Sequence, residues 1–253
     1  MRAIRSYLYQ ANIIITMIIW ITLATPLWLF PVAVRNAFIK QWVRFQIWLL
    51  RVLCGVRYEV EGRENIPTQG GFIILAKHQS TLETFIFQEI FPPITWVAKR
   101  ELLWIPWFGW GLAMTSPIMI NRQAGKRALD QVIEQGSKRL QQGRCVTIFP
   151  EGTRVSAGTR RKYGFGGPLL AEKTGRPVLP VAHNAGSYWG RRSMIIKPGV
   201  VRVAIGPLID SKGLSAEEIR DRTEDWIETR MMELEGRSEK AELVQGGHRA
   251  RKR

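Results

Sequence analysis

Beyond Gly55, short runs of consecutive apolar residues alternate with segments of helical periodicity, and that alternation constrains the fold more than any other feature of the chain. The runs at 56–60, 72–76, 94–98, 117–120, 146–149, 178–182, 194–196 and 200–205 are strand candidates. Several are apolar at every position, the pattern of strands covered on both faces. Between them, helical spacing occupies 80–89, 126–141, 168–173 and 216–234. In the last of these Ile219, Trp226, Ile227, Met231 and Leu234 share a face, and Ser215 with Glu218 has the form of a capping box. The pattern predicts an α/β domain with a mixed, largely parallel sheet flanked by helices. An apolar content of 45% in 253 residues is enough to fill its core. The expected organisation is a helical membrane element over 1–54, the α/β domain over 55–236, and a basic tail over 237–253 that lacks an apolar face and is expected to be disordered.

From Ser6 to Val34 the only ionisable side chains are Tyr7 and Tyr9, so the segment is long enough to cross the hydrocarbon of a bilayer, which takes about 20 apolar residues. Pro26 and Pro31 interrupt its second half. An amphipathic stretch follows over 38–53, with Trp42, Phe45, Trp48, Leu49 and Val52 at helical spacing and Lys40, Arg44 and Arg51 between them. One spanning helix, or a bent pair dipping into one leaflet with both ends cytosolic, fits this pattern. Arg2, Arg5 and the two prolines favour the pair. A cleaved signal peptide fits poorly, because its apolar region runs to about 7–15 residues and ends in a small-residue cleavage site. The segment LLWIPWFGWGLAM at 102–114 is too short and too interrupted to span, and suits either a membrane interface or core packing.

The formal charge of +16 implies anionic partners: nucleic acid, an anionic membrane surface or phosphorylated substrates. The basic residues are dispersed and no nucleic-acid-binding signature occurs, which ranks a membrane-anchored nucleic-acid-binding protein low. Cys54 and Cys145 have no metal-ligand spacing and imply no disulfide framework, in keeping with a reducing compartment. No metal or organic cofactor is called for.

Two polar strings carry the chemistry: HQSTLE at 78–83 and FPEGTR at 149–154, each closing an apolar run. His78 precedes the helix expected from Ser80, so its ring can fold back onto Glu83, five residues on. Glu83 would then fix the tautomer while the other ring nitrogen removes a substrate proton. Equally, Ser80-x-x-Glu83 is itself a capping box, and one carboxylate can serve both uses. Ser80 and Thr81 lack the G-x-S-x-G setting of a nucleophilic serine. His183, after the run VLPVA, suits a structural role. In FPEGTR, Gly152 permits a positive φ and Arg154 can bind a phosphate bidentately. Lys99 and Arg122 also stand at expected strand ends, whereas Arg160 and Arg161 fit a solvated loop. Together the strings point to acyl transfer onto a phosphorylated alcohol.

The strings AKHQSTLETF at 76–85, AKRELLWIPWFGWGL at 98–112, INR at 120–122, FPEGTR at 149–154, RKYGFGGPLLAEKTGRPVLPVAHNAG at 161–186 and IGPLID at 205–210 resemble, in order and spacing, those of the membrane glycerolipid acyltransferases, specifically the bacterial 1-acylglycerol-3-phosphate acyltransferases. The resemblance covers about residues 56–210 and implies that, in the catalytic domain expected over 55–236, His78 deprotonates the sn-2 hydroxyl of lysophosphatidic acid for attack on the thioester of acyl-CoA or acyl-carrier protein. Phosphatidic acid for phospholipid synthesis would form without a covalent intermediate. Glu83 stands where the family more often has Asp. By the same resemblance Lys99, Arg122 and Arg154 hold the acceptor's phosphate, while Glu151, Gly152 and Thr153 shape the pocket near the glycerol. Backbone amides of the 78–83 turn are expected to stabilise the oxyanion. A bacterial inner membrane with the active site on its cytoplasmic side is implied, with lipid as a partner and nucleic acid not. Another lysolipid, such as lyso-ornithine lipid, remains an alternative acceptor.

Overall fold

The computed structural model describes residues 1–236; the expectation for the tail over 237–253 falls outside them. The chain opens with helix α1 (Arg2–Ala24), turns through a short 3₁₀ segment at Thr25–Leu29, and returns as α2 (Val32–Cys54). Then come β1 (Val56–Glu61), β2 (Ile73–Ala76), α3 (Leu82–Ile90), β3 (Ile94–Lys99), α4 (Phe108–Met114), β4 (Ile118–Ile120), α5 (Lys126–Gln141), β5 (Cys145–Ile148), α6 (Gly166–Thr174), β6 (Val178–His183), α7 (Ala185–Tyr188), β7 (Gly199–Ile205) and α8 (Ala216–Leu234).

The strands form one seven-stranded sheet in the order β1-β7-β6-β2-β5-β3-β4. Every pairing is parallel except β6 with β7. The reason for the unbroken apolar runs is visible in β2: Ile74 and Ala76 enter one core with Phe87, Trp96 and Leu179, whereas Ile73 and Leu75 enter the other with Val132, Leu140, Leu170 and Ile219. The capping box at Ser215 and Glu218 is present at the start of α8.

The expected strand at 194–196 does not form. Its polar groups are taken by α1: the Ile196 amide donates to Ser6 Oγ at 3.0 Å, and Gln10 Nε2 donates to Met194 O at 2.8 Å. A segment whose backbone is satisfied by a helix has no need of a sheet neighbour.

α1 and α2 pack as an antiparallel hairpin. Trp42 Nε1 and Gln46 Nε2 both donate to Thr16 Oγ1, and Tyr9 OH donates to Gln46 O. The end of α2 returns to the start of α1, where Cys54 Sγ lies 3.9 Å from Arg5 O. α1 with its following turn is long and apolar enough to cross a membrane by length and composition. Leu8, Ile15, Ile19, Leu23 and Leu29 of that stretch are exposed. The aromatic segment at 102–114 divides its residues between buried and exposed positions. Met114 is buried in a cluster with Ala24, Ile39, Val43 and Phe85, whereas Trp104, Phe108 and Trp110 are exposed. Gly109 permits the fold-back, since a Cβ there would lie 2.3 Å from Leu103 O.

Candidate active site

Because β6, β2, β5, β3 and β4 are mutually parallel neighbours, their C-terminal ends share one crest of the sheet, where open α/β sheets bind ligands. His78 lies just beyond β2, the FPEGTR loop beyond β5, Lys99 at the end of β3, Arg122 just after β4, and His183 at the end of β6. From β2 to β4 is three strand spacings, roughly 14 Å. The polar strings, far apart in sequence, are therefore adjacent in space: β2 and β5 are direct partners, with Leu75 opposite Ile148.

His78 Nδ1 lies 2.7 Å from Glu83 Oε1. Glu83 is fully buried, and the same oxygen accepts from the amides of Ser80 at 3.0 Å and Gln79 at 3.2 Å. The carboxylate therefore serves the turn and the histidine at once. This reach is possible because α3 begins at Leu82, which leaves His78 outside the helix. Ser80 Oγ accepts from the Leu82 amide, so the serine hydroxyl acts within the turn. Burial alone would raise the Glu83 carboxyl. The hydrogen bonds from His78 and the Ser80 amide outweigh it and hold the carboxyl below its ordinary range.

The ring of His78 stacks on Phe149, with centroids 3.9 Å apart and planes 10° from parallel, and Phe149 stacks in turn on Trp96. The His78 side chain keeps 16% of its surface open, and among the described residues Nε2 has no hydrogen-bond partner. Phe149 was not singled out in the sequence, where it reads as the last apolar residue of a strand. Its place as the first residue of FPEGTR, directly after the strand, is the available signal.

Glu151, expected at the pocket, turns inward instead. Its Oε2 accepts the His78 amide at 2.7 Å, and its Oε1 lies 2.8 Å from Lys77 Nζ. The adjacent backbone is tied as well, with the Val155 amide donating to His78 O at 2.8 Å. Gly152 adopts the positive φ expected of it, at 69°. Gly152, Thr153 and Arg154 are half-buried on the same loop, and Lys99 is exposed. Arg160 pairs with Glu224 on α8. His183 is fully buried: Nε2 donates to Lys77 O at 2.8 Å and Nδ1 accepts from the Ala185 amide at 3.3 Å, a neutral ring, with burial holding its pKa down. The expectation that amides of the 78–83 turn receive an oxyanion is not met for four of them. Those of His78, Gln79, Ser80 and Leu82 are already bonded to Glu151, Glu83, Glu83 and Ser80.

An imidazole held by a carboxylate and open at its far nitrogen, beside the FPEGTR loop on the crest of an α/β sheet, is an arrangement suited to taking a proton from an acceptor hydroxyl. The Acyltransferase family model matches residues 57–184, and the chain belongs to that family. It is 44% identical over 240 residues to the 1-acyl-sn-glycerol-3-phosphate acyltransferase of Pseudomonas aeruginosa, covering 92% of each chain. The corresponding enzyme of Borreliella burgdorferi is 32% identical over 197 residues, covering 74% of this chain and 76% of the relative. The crystal structure of the 1-acyl-sn-glycerophosphate acyltransferase of Thermotoga maritima superposes with a TM-score of 0.76 at 26% identity, covering 94% of this chain and 99% of that one.

Proposed function

We propose that the protein transfers an acyl chain from acyl-CoA or acyl-carrier protein to the sn-2 hydroxyl of 1-acylglycerol-3-phosphate, forming phosphatidic acid. The observation that carries this is the 2.7 Å contact of His78 Nδ1 with Glu83, which leaves Nε2 open at a crest shared with the FPEGTR loop. Nε2 takes the hydroxyl proton as the substrate oxygen attacks the thioester carbonyl carbon, and Glu83 stabilises the imidazolium that forms. Collapse of the tetrahedral adduct breaks the C–S bond, and the thiolate departs with the proton from His78. No covalent enzyme intermediate is needed. Lys99, Arg122 and Arg154, from neighbouring strand ends, bind the acceptor's phosphate. Gly152 and Thr153 shape the loop beside the glycerol, and Glu151 acts from behind through the backbone.

The helical hairpin lies in one leaflet of the bacterial inner membrane, with the crest on the cytoplasmic side. Support comes from both ends of α1 touching the same domain: Ser6 bonds Ile196, and Ile21 packs on Gly111. The fifteen helical steps from one to the other span about 22 Å. A helix crossing about 30 Å of hydrocarbon would carry one of those contacts into the bilayer. The test is product identification from defined mixtures of labelled acyl donors with a panel of lysolipids. Phosphatidic acid from lysophosphatidic acid is expected to dominate; preferential acylation of lyso-ornithine lipid or a neutral lysophospholipid would overturn the acceptor assignment.

A further inference from the structure

Behind the dyad lies a buried charged cluster that touches no reacting atom. The Lys77 ammonium, 1% exposed, donates to Glu228 Oε1 at 2.7 Å and Thr159 O at 3.1 Å and forms an ion pair with Glu151 Oε1 at 2.8 Å. Tyr163 OH donates to the same Glu228 oxygen at 2.9 Å. Glu228 belongs to α8, beyond the stretch at 57–184 that the family model matches. A continuous line of contacts thus runs from α8 through Lys77 to Glu151, and from Glu151 Oε2 to the backbone amide of His78.

Desolvating an ammonium and two carboxylates is expensive, and well-packed apolar residues often hold a fold as well. What the cluster adds is direction. It fixes the turn bearing His78 against the loop bearing Arg154, two segments that must face each other within a fraction of an ångström for transfer. We propose that Glu228 is a positioning residue for acyl transfer, acting through Lys77 and Glu151 on the placement of His78 relative to the FPEGTR loop. This rests on the acyltransferase reading of the crest given above.

The cluster carries a pH signature. Burial pushes the Glu151 carboxyl up to about 7, with Lys77 opposing the rise and Glu228 adding to it. The titratable groups around it are Lys77 and His78 from the end of β2, Tyr163 from the loop before α6, Glu228 from α8, and His183 of β6, which bonds the Lys77 carbonyl. Protonation would put an O–H where Glu151 must accept. Removing the charge at 228 takes away a contribution that raises Glu151, so Glu151 stays ionised to lower pH.

The experiment uses the full chain in phospholipid vesicles, with Glu228→Gln measured for kcat and KM across pH and for amide hydrogen exchange. Expected are a kcat lower by roughly ten- to hundredfold, with KM for acyl-CoA and lysophosphatidic acid changed by less than about threefold. The acid limb of kcat/KM moves to lower pH, and exchange quickens at 76–83 and 149–155 with the rest of the protein as in the wild type. Glu228→Asp restores part of kcat, and Tyr163→Phe, which keeps the ion pairs, loses less than Glu228→Gln. Unchanged kcat and acid limb, or a loss that matches only the fraction unfolded, would overturn the proposal. Should the wild type make no phosphatidic acid, the reaction assignment falls instead, and the exchange at 76–83 still decides whether Glu228 positions the turn.

Discussion

The crest around His78 and the face formed by the N-terminal hairpin with the 102–114 segment are built on opposite plans. On the crest, buried charged groups meet partners from the chain itself: Glu83 meets His78 and two amides, and Lys77 meets Glu151, Glu228 and a carbonyl. On the other face Leu29 is 90% exposed and Trp104 83%, and nothing in the described chain covers them. One region draws its partners from within the chain and the other presents an uncovered apolar face. On the proposed mechanism, the difference separates the groups that do chemistry from those that meet the lipid surface.

Substitutions can test that separation. The largest effect is expected from His78→Ala, which should lower turnover by about 10²–10⁴-fold while vesicle binding, measured by flotation, stays as in the wild type; activity within a few-fold of wild type would end the base assignment. Glu83→Gln keeps the turn's acceptor but cannot stabilise an imidazolium, so a loss of roughly hundredfold is expected in kcat with little change in KM. On the other face, Trp104→Asp should weaken vesicle partitioning by roughly tenfold or more, from about 1.5–3 kcal/mol of lost apolar burial, while activity on detergent-dispersed substrate is retained. If detergent activity fell equally, the two regions would not be separable. Arg154→Lys should raise KM for the phosphorylated acceptor several-fold and leave the acyl donor's alone, reflecting loss of a bidentate contact; an effect confined to the donor would move Arg154 to the other substrate. On stability, Gly109→Ala is expected to cost roughly 1–3 kcal/mol in chemical denaturation by forcing the aromatic segment off the Leu103 carbonyl.

Much of this was legible in the sequence because it is local. The apolar runs gave the strands, the helical periodicity placed α5 and α8 at the bounds they have, and the spacing of His78 and Glu83 fits a turn that precedes a helix. What was missed depends on distant partners. Met194 and Ile196 have strand composition, but Ser6 and Gln10, nearly two hundred residues earlier, take their backbone groups. Glu151 sits in a string that suggests a pocket, yet Lys77 and the His78 amide draw it inward. Glu228 looks like one more acid on an amphipathic helix until α8 is laid against β6. Local pattern says which residues can act; only the sheet order says which way each one faces.

Tyr9, Leu50 and Cys54 pack in the same cluster as Ile74, Leu179 and Val203 beneath the sheet. The hairpin is therefore no detachable tether. A shortened version beginning at Val56, made in the hope of an easily handled soluble enzyme, would lay bare the underside of β2, β6 and β7 and should aggregate, so purification has to begin from the whole protein in a lipid-like medium.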